Sequence, residues 1–190
     1  DDDLTLQQRI DTVTPIAMYY YIAARFDKAL EYTDTLLALV KTHRNPKYAY
    51  YAYTMQAVIM YFSGHFSAVE EACKQAIHIK TGDETWEREA YTYCLLALPQ
   101  ANKGDIEESH RNAARGAALI ADSPNLAEQS ACLHFAGFAH SLYGDTPHGL
   151  EYSQQSLTIA RKLNNMLLQY SAHFSLGVGF LMQDDFDRCD

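Results

Sequence analysis

Five short segments recur at a fixed interval of 40 residues: Ala24-Arg25-Phe26, Gly64-His65-Phe66, Gly104-Asp105-Ile106, Gly144-Asp145-Thr146 and Asp184-Asp185-Phe186. Each precedes a fresh run of apolar residues at helical spacing. So constant an interval confines the chain to a repeat of one supersecondary unit, stacked so that neighbours bury each other's apolar faces. Two further columns keep the period. Stepping by 40 from Ala17 meets Ala57, Ala97, Gly137 and Gly177, always small, while Leu39, Ile79, Leu119 and Ile159 are always aliphatic. Unrelated helices would not hold size and polarity together at one spacing.

Each unit reads as two helices joined by a tight turn. The small residue marks where another helix approaches, and the aliphatic one is expected to close the core near the end of the second helix. The pattern predicts helices at about 11–23, 27–43, 47–62, 66–80, 84–102, 106–121, 126–143, 147–163 and 166–183. Nine Gly and five Pro in 190 residues are too few for the frequent turns of a sandwich or barrel. Ser67-Ala-Val-Glu70 and Asp105-Ile-Glu-Glu108 read as capping boxes, and Pro147 stands where a first-turn proline is tolerated. Breakers fall between units at Arg44-Asn45-Pro46, Thr81-Gly82-Asp83, Asp122-Ser123-Pro124-Asn125 and Leu163-Asn164-Asn165. Pro99, inside a predicted helix, is expected to kink or shorten it.

The small residue of the first helix, the Gly-Asp-aromatic turn and the small-then-aliphatic second helix resemble the tetratricopeptide repeat (TPR), in a form of 40 residues instead of 34. Gly64-His65-Phe66-Ser67-Ala68-Val69-Glu70-Glu71-Ala72 with Ala76-Ile77, and Ala24 through Tyr32, are the closest copies. Leu176-Gly177 with Asp185-Phe186-Asp187 begins another. Two features depart from the pattern. No proline ends the second helix, where Lys41, Thr81, Ala121 and Arg161 stand, and Ile106 and Thr146 replace the turn aromatic. The resemblance implies an all-α, right-handed α-solenoid of antiparallel helix pairs, about four and a half repeats within one domain at 1–190, with units about 10–46, 47–83, 84–125, 126–165 and a truncated 166–190. The longer unit is similar to the sensor or scaffold regions of large bacterial signalling and transcription-regulator proteins, such as maltose-regulator-like activators and fusions of an ATPase with a cyclase or kinase. The missing second helix of the fifth unit reads as the mark of a longer parent protein, because natural solenoids finish with a polar cap.

Charge and chemistry narrow the function. A net charge of −9 lacks the basic footprint that nucleic acid or an anionic membrane requires. The longest strongly apolar run, Ile16 to Ala24, is far short of a bilayer span. Cys73, Cys94, Cys132 and Cys189 form no CxxC and sit in helical patterns, which reads as packed thiols in a reducing, cytoplasmic setting. Gly177-Val-Gly179 lacks the strand and third glycine of a dinucleotide loop. His134 and His140, six apart on one helix, lie on different faces and cannot form a zinc pair on adjacent turns. His134 and His173 fall at nearly matching phases of neighbouring first helices. The expected metal and cofactor complement is none.

Tyrosine is the more informative residue. Nine of the 14 lie between Tyr19 and Tyr61, mostly on first helices, which line the concave face in the family this chain resembles. A helical projection places Tyr21, Tyr51, Thr54, Met55, Val58, Tyr61, Tyr91, His134, Phe138 and Phe174 near that groove, with Met18, Cys94, Leu98 and Val178. Many of these also suit packing between helices. Tyrosine pairs an apolar face with a hydroxyl, which fits a half-wet binding surface. The leading expectation is a non-catalytic scaffold or regulatory domain that binds a peptide, a partner domain or another domain of its parent, and transmits occupancy through superhelical curvature. A small-molecule sensor enclosing a metabolite in the same groove, and an enzyme using His134 or His173, are the alternatives. No nucleic acid or membrane partner is expected, and an exposed repeat end is available for a homodimer.

Overall fold

The computed structural model describes residues 5–43, 46–79 and 86–185. Among them the chain is all-α, without a strand. The helices are α1 (Leu6–Ile22), α2 (Phe26–His43), α3 (Pro46–Phe62), α4 (Phe66–His78), α5 (Trp86–Asn102), α6 (Ile106–Ile120), α7 (Leu126–Leu142), α8 (Thr146–Lys162) and α9 (Met166–Met182). First helices begin at 6, 46, 86, 126 and 166, and second helices at 26, 66, 106 and 146, so both series keep the 40-residue period to the residue. The fold class is a solenoid-type repeat of helix pairs. Contacts divide the chain into two units, 1–83 and 84–190. In the first, α1 packs on α2, α2 on α3 and α3 on α4. In the second, α5 packs on α6 and α7, α6 on α7, and α7 and α9 on each other and on α8.

The repeating turn has a physical cause. After each first helix one residue enters the left-handed region: Ala24 (φ 54°), Gly64 (81°), Gly104 (88°), Gly144 (100°) and Asp184 (58°). The next residue then returns its N–H five residues back, Arg25 to Tyr20, His65 to Met60, Asp105 to Gln100, Asp145 to His140 and Asp185 to Phe180, at 2.8 to 3.0 Å. This is the Schellman closure, and glycine fills it most cheaply. Ala24 holds the same geometry against its Cβ. Ala24→Gly is therefore expected to raise the unfolding free energy by about 0.5–1 kcal/mol, and Gly104→Ala to lower it by about 1 kcal/mol, in urea melts.

Helix starts correct part of the sequence reading. α4 begins at Phe66 with His65 as its cap, so Ser67 already lies inside the first turn and Glu70 pairs with Lys74 at 2.6 Å. Asp105 caps α6 but makes no side-chain cap bond, and Glu108 turns to Arg111 at 2.6 Å. Among the described residues a capping box forms between Thr5 and Gln8, which carries α1 five residues beyond its predicted start. Asn125 and Asn165 cap α7 and α9 by accepting from the N–H groups of Glu128 and Leu168. Pro147 falls in the first turn of α8 as expected. Pro99 does not shorten α5, which runs the same 17 residues as α3 and α7.

The small column works as predicted at Ala17, Ala57 and Ala97, each fully buried. The aliphatic column is displaced by one residue. Leu39, Ile79, Leu119 and Ile159 are only half-buried, whereas Val40, Ile120 and Ala160 are sealed, because one step along a helix turns the side chain by about 100°. Among the described residues of the first unit, Ile10, Leu36, Leu37, Val40 and Ala52 form one apolar cluster and Ala17, Ala29, Met55 and Ile59 another. The second unit brings α7 and α8 together on small and hydroxyl residues. Ser130 Oγ donates to the Ser156 carbonyl at 3.1 Å, and Ser156 Oγ donates back to the Ser130 carbonyl at 2.8 Å. Cys73, Cys94 and Cys132 are buried thiols, and burial pushes the Cys73 thiol well above its usual range. Cys189 lies outside the described residues. No helix among the described residues is long and apolar enough to cross a membrane.

Candidate interaction site

In the first unit the repeat places aromatic residues in matching columns. Tyr21 and Tyr61 are 40 apart, as are Phe26 and Phe66, and the ends of α1 and α3 bring these columns together. The Tyr21 ring lies 6.4 Å from Phe26 and 5.7 Å from Phe62. Phe62 is 5.3 Å from Tyr61, which meets Phe66 at 5.6 Å. Edge and tilted contacts of this kind add about 0.5–1.5 kcal/mol each beyond area burial. Phe62 and Phe66 are open, at 43% and 40% exposed, and Tyr19 and Ile22 near the same end of α1 are about two-thirds exposed. Tyr20 turns inward and stacks on Tyr32 at 5.5 Å, tying α1 to α2. Burial pushes the Tyr21 hydroxyl up to about 12, so Tyr21 is a neutral support and Phe62 and Phe66 present the contact area.

The middle of α3 plays a different part from the one predicted. Thr54, Met55 and Val58 are buried, Met55 with Ala17 of α1 and Ala29 of α2. Thr54 Oγ1 donates to the Tyr50 carbonyl at 3.0 Å. Tyr51 is half-buried against both clusters. A single helical projection cannot tell this stripe from a groove, because packing and binding residues share the same 3.6-residue spacing.

In the second unit, Cys94 and Leu98 are sealed and Tyr91 packs edge-on against Phe135 at 5.5 Å. His134 is also buried, with its Nδ1 2.5 Å from Ser175 Oγ. Burial pulls its pKa down to about 4, against the opposing pull of a backbone hydrogen bond at Ser171. His173 is exposed. His134 is thus a neutral packing group committed to Ser175. Phe138 lies 5.5 Å from Phe174, and Phe174 is exposed with Met166, Leu167 and Tyr170 along α9. A cleft of about 440 Å³ lies between α7 and α8, lined by Gln129, Leu133, Glu151, Gln154, Gln155 and Ile159. None of the residues assigned to the groove from sequence lines it.

The sequence reading chose Tyr21 and Tyr61 but passed over Phe62 and Phe66. The signal was present one column away, since Ile22 and Phe62 also stand 40 apart.

No family model matches the chain, and no curated protein matches it. Solved structures do. The crystal structure of a putative kinesin light chain of Podosopora anserina with nearly identical TPR-like repeats aligns at a TM-score of 0.63 and 16% identity, covering 95% of this chain and 90% of that one. A point-substituted form of that protein gives the same score and identity, with 89% of that chain covered. BtubC (BKLC) from P. vanneervenii aligns at 0.60 and 14% identity, covering 98% of this chain and 87% of that one. At these identities the likeness is one of fold, a TPR-like helical repeat.

Proposed function

We propose that this chain is a non-catalytic interaction scaffold that binds a peptide or a segment of a partner protein on the aromatic surface at the ends of α1 and α3. The observation that carries this reading is the continuous run of rings from Phe26 through Tyr21, Phe62 and Tyr61 to Phe66, in which Phe26, Tyr21 and Tyr61 are half-buried and Phe62 and Phe66 are exposed. Exposed aromatic residues anchored on half-buried ones supply large contact area at small entropic cost, the composition of binding hot spots. The surface offers apolar faces and hydroxyls, so its ligand is an apolar or aromatic peptide segment. In this reading the chain serves a larger signalling or transcription-regulatory protein of the cytoplasm. Its buried thiols are in keeping with a reducing compartment.

The test uses peptides selected from a displayed library against the intact chain. Phe62→Ala and Tyr61→Ala are expected to weaken a selected peptide about 10- to 30-fold in fluorescence titrations, with the far-UV circular dichroism of the wild type. Equal affinity in wild type and both variants removes the assignment.

A further inference from the structure

We propose that His110, His140 and Asp145, with His148 at the open edge, form a binding site for one divalent transition-metal ion of the zinc type in the second unit. The turn between α7 and α8 builds the site. Its closure, the Asp145 N–H to the His140 carbonyl at 2.9 Å, folds the Asp145 carboxylate back over the His140 ring. Asp145 Oδ2 then lies 2.9 Å from His140 Nδ1, and Oδ1 lies 2.8 Å from His148 Nδ1, one turn into α8. α6 delivers His110, whose ring stacks on His140 with centroids 4.4 Å apart. Potential ligand atoms of His110, His140 and Asp145 all lie within 4.8 Å of one another.

A second observation points to a ligand. His140 is only 5% exposed, yet its Nε2 is buried without a hydrogen-bond partner among the described residues, and so is Nε2 of His110. Buried polar atoms left unmatched are rare and costly. Two of them on stacked rings beside a carboxylate are the donors a metal would engage. The set is two or three imidazoles and one carboxylate, which suits zinc, copper or nickel, whereas magnesium and calcium require oxygen ligands. The rings are within 12° of parallel, and in-plane lone pairs of parallel rings do not converge. Binding therefore turns the half-buried His110 ring out of the stack. That movement gives the site a spectroscopic signature.

The intact chain, stripped with a chelator, is titrated with zinc by calorimetry and with cobalt by visible absorption at pH 7.5. One equivalent per chain is expected, with a tetrahedral cobalt spectrum and shifted His110 and His140 ring protons in NMR. His140→Gln and His110→Gln are each expected to weaken zinc by at least about 100-fold, His148→Gln by about 10-fold, and His173→Gln not at all. If His140→Gln does not fold, the half-buried His110 and exposed His148 positions carry the comparison. Absence of saturable binding, or binding unchanged in both His110→Gln and His148→Gln, overturns the site. The aromatic surface of the first unit plays no part in any of these outcomes.

Discussion

Gly149→Val is expected to lower the unfolding free energy by about 3 kcal/mol or more. A Cβ at 149 would stand 2.5 Å from the Ser141 backbone nitrogen and 2.8 Å from the Gly137 carbonyl oxygen. Backbone atoms of a packed helix cannot swing aside, so α7 and α8 must separate and the reciprocal Ser130–Ser156 hydrogen bonds must stretch. The facing position is equally tight, since a Cβ at 137 would meet the Gly149 carbonyl oxygen at 2.8 Å. Gly149→Ala makes the cleaner sign test. At an exposed helix position the change would stabilise by up to about 1 kcal/mol, whereas here it is expected to destabilise. Urea melts of both variants give the sign and the size, and a stabilised Gly149→Ala would show that the helices do not approach this closely.

Acid will weaken the second unit through His134. Its folded pKa is lowered from 6.5 to about 4 by burial, so on acidification the unfolded chain takes up the proton first. The contribution is fully present above pH 6.5 and is lost as the pH falls through about 4. The gap between 6.5 and about 4 is worth about 3 kcal/mol. Burial pushes His140 in the same direction. The exposed His148 has the opposite sign, because its bond to Asp145 raises its pKa and gives a contribution present at low pH and lost as pH rises. The informative quantity is therefore the difference between wild type and His134→Gln. The variant is expected to lose less stability between pH 7 and pH 4, by about 3 kcal/mol, in denaturant melts at each pH. Parallel pH curves for the two proteins would mean that His134 is not sealed.

The period was the legible part of this fold. Turn residues forced into the left-handed region, and alanines sealed where helices cross, leave a record in residue type, so both helix series were placed within two residues apart from the start of α1, which lies five residues earlier. Capping was less legible. Ser67 and Asp105 have the right chemistry, but the preceding Schellman turn delivers the chain straight into the next helix and their side chains are not needed as caps. The true capping box at Thr5 and Gln8 lay outside the repeat comparison. Among the site residues, Tyr21 and Tyr61 fell in the aromatic run because the repeat repeats them. Thr54, Met55, Val58 and His134 proved to be interior, since helical phase alone does not say which side a neighbour covers. The histidine cluster is not legible in the sequence because its members come from α6, α7, the turn and α8, and comparing histidines along one helix or between matching first helices does not bring a second helix and a turn to the same place.

The central claim is that the open aromatic surface at the ends of α1 and α3 is where a partner binds. NMR of the isotope-labelled chain titrated with a selected peptide tests it most directly. The account predicts shifts confined to Met18–Ile22 and Tyr61–Phe66, abolished by Phe62→Ala. Shifts centred instead on Gln129, Gln154 and Ile159, in the cleft between α7 and α8, would contradict it.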